Sequence, residues 1–360
     1  MRFLIVTYDE PVNIPYMEKY ERQISENGGE LDVIFWDRRG CIEQQPKNVF
    51  LFRASNGKTK LSKIFPFIKW SLFVRRQLRK GKYDRLIVLT TLPAILLYDR
   101  LIGAYRKRYV LDIRDYTYEG IGPYRRMVHR LVECAQMVFI SSKAFMGFLC
   151  QSPNIYVTHN ISNGDKSNPS CTLDLKATKP LTIGFVGGIR YYEENKQLLL
   201  QLKNNERYFM EYVGKTHPGC DLHTFCIKEN VDNVAFKPAY VNEQKPHIYQ
   251  SIDLINAIYG SQSPEVCLAL PNKLYDCVLF KKPILVSKGT YLAELVERYR
   301  LGLPVDLDSG DLATQIDAYL AAFDRERFEQ GCAAFLRIAC QEEALAMSRI
   351  KEYCCGEEAL

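Results

Sequence analysis

Residues 262–287 read QSPEVCLALPNKLYDCVLFKKPILVS. Pro271 needs no amide partner and suits the first turn of a helix, so a helix is expected to begin there. Asn272, Lys273 and Asp276 then fall three and four residues apart on one face, where an amide, a cation and a carboxylate converge. Pro283 stops the helix after Lys281 and Lys282, and Ile284-Leu285-Val286 has the unbroken apolar run of a buried strand. The helix start, with unpaired N–H groups and a positive dipole end, suits a phosphate. The competing reading makes Lys273 and Asp276 a solvated ion pair at i,i+3.

Outward from this stretch, strands and helices alternate, which predicts an α/β chain with parallel sheets. A strand at 3–7, a helix at 16–26 closed by Gly28-Gly29 and a strand at 31–36 make a first βαβ unit. Its right-handed crossover places loop 8–15, with Asp9 and Glu10, at the carboxyl edge of the sheet, where doubly wound proteins bind ligands. That loop has no GxGxxG, so no dinucleotide cofactor is expected. A strand at 85–89, a helix at 94–105 and a strand at 109–113 follow. The last ends in Asp112-Ile113-Arg114-Asp115, two carboxylates around an arginine at a sheet edge; an internal Asp112–Arg114 pair is the alternative. Residues 116–126 read as a loop before a helix at 127–135, with short strands at 139–141 and 156–158.

Polar residues 162–180 read as a linker, after which the alternation starts again. A strand at 181–186 leads into Gly187-Gly188, a turn that lets a backbone approach a ligand, with Arg190 and Lys196 beside the start of a helix running to about residue 203. A strand at 209–213, an edge segment at 231–240, a helix at 242–250 and a strand at 254–259 lead to the stretch quoted above. Helices at 290–300, 311–322 and 325–352 finish the chain. The expected domains are 1–165, a linker at 166–180, 181–335, and a closing helix over 336–360.

Pro271-Asn272-Lys273-Leu274-Tyr275-Asp276 followed by Lys281-Lys282-Pro283-Ile284 resembles the nucleotide-sugar site of the retaining, family-4-type glycosyltransferases of the GT-B fold, with their P-x-K-x-x-E and GKPVI segments. Leu111 to Asp115, LDIRD, and His159-Asn160-Ile161 are similar to segments of the same family's first domain. There are departures. Asp276 stands where the family has Glu, Leu268 removes the first acid of an E-x7-E pair, and Arg190 and Lys196 lie one or two residues farther from the glycines. The resemblance implies two Rossmann-like doubly wound domains facing a cleft, with the C-terminal helix crossing back. It implies a nucleoside diphosphate sugar held by Gly187, Gly188, Arg190, Lys196, Asn272, Lys273 and Asp276, with Arg190 and Lys273 stabilising the leaving diphosphate without a metal. Asp9, Asp112, Arg114 and Asp115 would face the acceptor, Asp115 as the catalytic group, and anomeric configuration would be retained. A sugar-nucleotide epimerase of the same fold and a non-catalytic sugar-nucleotide-binding protein remain open.

The 360 residues suit two domains, and 47% apolar with 25% charged residues is the composition of a folded soluble chain. The net charge of +6 is unevenly placed: residues 58–82 hold nine Lys and Arg and no acid, interleaved with Phe65, Phe67, Trp70 and Phe73. This reads as a segment that meets an anionic membrane surface through Phe67, Trp70, Arg75, Arg76, Arg79 and Lys80, against the alternative of a solvated basic face. It favours a lipid-linked or saccharide acceptor, as in bacterial surface polysaccharide assembly. No nucleic-acid module is recognisable. The initial apolar run is too short for a signal peptide and no stretch approaches the ~18 apolar residues of a membrane span, so a cytoplasmic, peripheral protein is expected.

The twelve cysteines form no CxxC pair and suit reduced thiols. His217, Cys220, His223 and Cys226 recur every three residues, which spreads them around a helix, so no metal is expected there. Asp306-Leu307-Asp308 has the DxD form of a metal pair but precedes Ser309-Gly310-Asp311, which favours turn and N-cap duty.

Overall fold

The computed structural model describes residues 1–11, 14–38, 40, 47–54, 64–161 and 180–356. The linker read at 166–180 lies outside them except for Pro180, as do Lys58, Lys60 and Lys63. The chain divides into two compact units: residues 1–159 with 341–360, and residues 160–340.

In the first unit, short apolar runs form β1 (Arg2–Val6), β2 (Glu30–Asp37), β3 (Val49–Arg53), β4 (Arg85–Leu89), β5 (Tyr109–Ile113), β6 (Met137–Ile140) and β7 (Ile155–Val157). They pair in parallel in the order β3-β2-β1-β4-β5-β6-β7. Strands this apolar are stable only with both faces covered, and the crossover helices supply the cover. These are α1 (Glu18–Glu26), α2 (Ile64–Gly81), α3 (Thr91–Leu96), α4 (Tyr98–Ile102) and α5 (Gly122–Cys134). The single helix expected at 94–105 is two, broken at Leu97 with φ −114°. α5 starts before residue 127 because Pro123 occupies its first turn. β3 was not expected from the sequence.

α2 narrows the residue set expected at a membrane: Arg76, Arg79 and Lys80 are exposed, but Phe67, Trp70 and Arg75 are engaged within the protein. Pro66, Trp70, Val74 and Leu78, four apart, form its buried ridge, and the Trp70 ring is fully enclosed in the protein. Phe67 packs edge-on against Trp36 at 4.9 Å and Tyr8 at 6.2 Å. Arg75 is held by both carboxylate oxygens of Asp99, at 2.6 and 2.8 Å, and by the Leu96 carbonyl. None of these three side chains is turned toward a membrane.

The second unit repeats the design with β8 (Leu181–Val186), β9 (Tyr208–Val213), β10 (Val234–Lys237), β11 (Leu254–Ala257), β12 (Ile284–Ser287) and β13 (Gly302–Val305), parallel in the order β10-β9-β8-β11-β12-β13. Helices α6 (Tyr192–Gln201), α7 (Leu222–Glu229), α8 (Lys245–Ser251), α9 (Pro264–Leu268), α10 (Asn272–Phe280), α11 (Tyr291–Tyr299) and α12 (Leu312–Ala321) enclose two apolar clusters on the sheet. α10 is buried almost all round, from Lys273 to Val278 and again at Phe280, and Lys281 in the left-handed conformation (φ 51°) ends it. Asp306 accepts from the Asp308 amide and Asp311 caps α12, the turn and cap duties read from sequence.

The last helix, α13 (Arg325–Cys355), belongs to the second unit through Cys340 and to the first from Gln341. In the first unit Tyr353 donates to the Leu86 carbonyl at 2.8 Å, and Glu343 takes Lys19 at 2.8 Å, the Thr158 hydroxyl at 2.8 Å and the His159 amide at 2.7 Å. In the second, Gly331 rests on α11: a Cβ there would lie 1.7 Å from the Tyr299 carbonyl oxygen. On an isolated helix Gly→Ala stabilises by about 1 kcal/mol. Here the contact reverses the sign, so Gly331→Ala is expected to lower the thermal midpoint, and an unchanged or raised midpoint would show that α13 is not seated this closely.

Candidate functional site

In the second unit the strand order reverses between β8 and β11, which sets the turns after these two strands side by side at the carboxyl edge. After β8 the chain passes Gly187 (φ 127°) and Gly188; a Cβ on either meets nothing within 4 Å, so the turn faces open space. Arg190 is exposed, its guanidinium 5.5 Å from the ring centre of Tyr191. Tyr191 holds φ 62°, a strained conformation for a bulky residue, and stacks on Tyr259 beyond β11 with ring centres 4.3 Å apart.

Lys273 lies beneath this stack. α10 lays its ammonium over the face of Phe185, 3.2 Å from the ring centre, and Nζ donates to Tyr259 Oη at 3.0 Å. The residue is only 5% exposed, and among the described residues that is the only hydrogen bond its ammonium makes. Burial pushes its pKa well below the usual lysine value; Asp276 opposes this, while Arg190 and Lys245 add to the lowering. An ammonium carries three N–H donors, and leaving a buried charge under-bonded is costly, so an anion entering the crevice would relieve a standing penalty.

Asp276 is committed elsewhere. Its carboxylate accepts from Lys245 Nζ at 3.0 and 3.3 Å and from Tyr249 Oη at 2.9 Å, and the residue is 6% exposed. The solvated Lys273–Asp276 pair is therefore overturned: both groups are buried and each has its own partners. Asn272 is exposed at the start of α10, its side-chain oxygen accepting from Asn160 Nδ2 at 2.6 Å. Lys196 lies 3.6 Å from Glu193 and over the Phe225 ring of α7. Sequence reasoning missed Glu194. It stands in the first turn of α6 with Oε1 against Gly260, 2.4 Å from where a Cβ would be, placing a carboxylate beside the turn after β11.

The first unit has the same kind of crevice between β1 and β4. Tyr8 and Asp9 follow β1; burial and then Asp9 push the Tyr8 hydroxyl up to about 12, and burial also raises the Asp9 carboxyl. Tyr8 is therefore a protonated donor at neutral pH. Thr90, after β4, has φ 70°, an outlier for a β-branched residue, and its amide donates to the Asp112 carbonyl at 2.7 Å. Thr91 bonds the buried Glu119 at 2.6 Å and Tyr124 Oη at 2.9 Å. Asp112 is fully buried and takes Arg114 through two bonds, at 2.6 and 3.0 Å, and Tyr20 at 2.7 Å; Arg114 also covers the Tyr16 ring at 4.3 Å. Burial works against the Arg114 charge, but Asp112 outweighs it and keeps the guanidinium protonated. Asp112 and Arg114 are thus a structural pair rather than groups open to an acceptor, while Asp115 is exposed at the same edge.

The triad-spaced His217, Cys220, His223 and Cys226 do not form a centre: His217 Nδ1 meets the Pro218 carbonyl, His223 sits against Phe236, and both thiols are buried. Among the described residues no group of three or more His, Cys, Asp or Glu is placed to hold a metal ion.

Two doubly wound parallel units with a C-terminal helix shared between them define the GT-B fold. No family model and no curated protein sequence matches the chain. Among solved structures it is similar to sucrose-phosphate synthase from Thermosynechococcus elongatus, with a TM-score of 0.71 and 13% identity over 97% of this chain and 98% of that one. WaaG, a glycosyltransferase involved in lipopolysaccharide biosynthesis, gives 0.64 at 11% identity over 98% and 100%. Anabaena HepE in complex with UDP-glucose gives 0.63 at 17% identity over 98% of both chains.

Asp276 is held by three hydrogen bonds inside the unit and ties α8 to α10. Asp276→Asn and Lys245→Met are each expected to lower the stability of the ligand-free protein by about 1.5–3 kcal/mol. Urea midpoints measure this, and wild-type values for both variants would return Asp276 to the ligand-binding set.

Proposed function

We propose that the protein transfers a glycosyl group from a nucleoside diphosphate sugar to a hydroxyl of a saccharide or lipid-linked acceptor. The observation that carries this reading is the buried, under-bonded ammonium of Lys273 beneath an open glycine turn, with Arg190 at its rim. A diphosphate has the charge and the acceptor oxygens to meet both cations and the unpaired N–H groups that begin α10. Support comes from HepE, which has the same fold and whose structures hold UDP, UDP with glucose, and UDP-glucose.

In this reading the bond between C1 of the sugar and the diphosphate oxygen breaks, and negative charge grows on the diphosphate as it leaves. Lys273 and Arg190 neutralise that charge in a site where water is largely excluded around Lys273, the setting in which electrostatic stabilisation is strongest. A new bond forms between C1 and the acceptor oxygen. With retention of configuration, as the resemblance implies, the hydroxyl proton passes to the leaving phosphate. On the first unit, Asp115 accepts from a hydroxyl of the acceptor other than the reacting one, and Tyr8 and Asp9 border that unit's crevice. Glu194 meets hydroxyls of the donor.

Incubation with a panel of sugar nucleotides tests the reading. Nucleoside diphosphate release that depends on an added saccharide or lipid-linked acceptor supports it. Interconversion of sugar nucleotides without acceptor, or binding with neither reaction, overturns it in favour of an epimerase or a binding protein. The anomeric coupling of the product decides retention.

Lys273 supplies a second, sharper expectation. Its folded pKa lies below the unfolded value, so the free protein gains stability as pH rises through that interval. A bound diphosphate favours the charged form, so binding takes up protons and weakens as pH rises through the bound-state pKa. Calorimetry in buffers of different ionisation enthalpy measures the uptake. Lys273→Met keeps the chain length and removes a poorly compensated buried charge; it is expected to stabilise the free protein, abolish the proton uptake and weaken nucleotide binding about 10- to 150-fold. Unchanged affinity would displace the donor site from α10.

A further inference from the structure

A chain of hydroxyls at the carboxyl edge of the first unit has a fixed direction. Glu119, in the loop between β5 and α5, is 1% exposed, and both of its carboxyl oxygens accept: Oε2 from the Thr117 amide at 2.5 Å and Oε1 from the Thr91 hydroxyl at 2.6 Å. Thr91 has one proton, and the short bond to Glu119 takes it. Its oxygen also stands 2.9 Å from Tyr124 Oη and 3.4 Å from Thr117 Oγ1, so the bond between Thr91 and Tyr124 is made with the tyrosine proton. Burial raises the pKa of Tyr124, Thr91 opposes this and Glu119 adds to it, so the phenol keeps that proton at neutral pH. With its proton committed to Thr91, Tyr124 Oη meets any further group through lone pairs alone.

A second observation lies one residue away. Thr90, with its φ of 70°, is 3% exposed, and its Oγ1 is buried beside Tyr8 without a well-formed hydrogen bond. Tyr8 acts electrostatically on Tyr124, and Asp115 on Tyr8, so these groups share one crevice. Tyr118, 51% exposed, packs edge-on against Tyr124 with ring centres 5.7 Å apart. Arg38 lies over the rings of Tyr8 and Trp36 at 5.2 and 4.8 Å, and Arg114 is bound to Asp112. The side chains that act on the Tyr124 hydroxyl are Thr91, Glu119, Tyr8 and Tyr118, none of them a cation.

We propose that the acceptor held in this crevice is an uncharged sugar ring, one of whose hydroxyls donates to Tyr124 Oη, and that Glu119 sets this polarity through Thr91. The proposal rests on the transfer reading, in which the first unit meets the acceptor. A hydroxyl has a proton for Tyr124 Oη and a lone pair for the Tyr8 proton. A phosphate or carboxylate brings lone pairs to lone pairs there, with Asp9 and Asp115 at the same edge, and is selected against. Tyr118 offers an apolar ring beside the contact for the C–H face of the sugar. Tyr124 is the specificity contact, and Thr91 and Glu119 are positioning residues that act through it.

The test compares methyl hexopyranosides with analogues in which one hydroxyl is replaced by fluorine, which accepts but does not donate, and with hexose phosphates. Competition followed by saturation-transfer NMR on the full chain reads binding with no sugar nucleotide present. In the wild type, fluorine at one ring position is expected to weaken binding about tenfold, and hexose phosphates to bind less well than the parent glycosides. In Glu119→Gln the Thr117 amide still donates to the side-chain oxygen, so the new N–H group turns to Thr91, Thr91 donates to Tyr124, and Tyr124 donates outward. The preference for hydroxyl over fluorine should then fall to about twofold or less. Tyr124→Phe keeps the ring, removes Oη and leaves Glu119 in place; it should erase the preference too, and thermal midpoints verify that both variants fold. A preference that survives in either folded variant, tighter binding of hexose phosphates, or no binding by any glycoside overturns the proposal. Glycosides that bind with this signature yet take no sugar from any nucleotide sugar would refute the transfer reading and uphold the contact at Tyr124.

Discussion

Each sheet is wound from its middle, and that single constraint decides where chemistry can occur. β1 and β8 are laid down first; two strands are added on one side, and the chain then crosses back to add β4 and β11 on the other. Right-handed crossovers send the helices of the two halves to opposite faces, so the turns after the paired central strands diverge and leave a crevice that neither set of helices covers. Tyr8-Asp9 and Thr90-Thr91 border one crevice, and Gly187-Gly188 and Tyr259-Gly260 border the other. The two non-glycine residues with strained backbone that matter here, Thr90 and Tyr191, stand at these edges.

Buried charge separates what is structural from what is open to a ligand. Asp112 and Arg114 are both enclosed, but each satisfies the other, with Tyr20 completing the set. Asp276 is likewise matched by Lys245 and Tyr249. Lys273 is enclosed to the same degree and has a neutral phenol and a ring face instead of an anion. A matched buried pair contributes little net stability and breaks badly, whereas an unmatched buried cation is a penalty that folding alone would remove. The proposed function places the anion of the donor there to complete it.

The architecture was legible because parallel strands are apolar on both faces and glycine, proline and polar runs punctuate them. Pro271 and Pro283 framed α10 correctly for the same reason. The partners of its polar side chains were not legible: α10 is buried nearly all round, so no amphipathic face distinguishes inward from outward, and Lys245 and Tyr249 lie 31 and 27 residues away. In α2 the composition did not say which side chains face inward. Basic residues among aromatics fit a membrane face and a packed helix equally, and only the four-residue spacing of Pro66, Trp70, Val74 and Leu78 carried the answer. Ile64, Ile68 and Leu72 repeat that spacing on the other side. Glu194 gave no signal, because a glutamate in a first helical turn is ordinary; what sets it apart is Gly260, which only the folded chain brings against it.

The charges around the second unit's crevice also bear on direction. Two helices begin near it, and by dipole alone either start could take a phosphate. α6, however, opens with Glu193 and Glu194, while α10 opens with Asn272 and Lys273. In the proposed reading, like charge would keep a diphosphate away from α6 and the cation would draw it to α10. With Asp276 tied to Lys245, Glu194 is the carboxylate beside the glycine-lined turns able to accept from hydroxyls. In the proposed reading the donor is therefore polarised, its phosphates over α10 and Lys273 and a hydroxyl-bearing ring toward Glu194. Exchanging the sign of either helix start would cost the site its orientation before it cost the site its affinity.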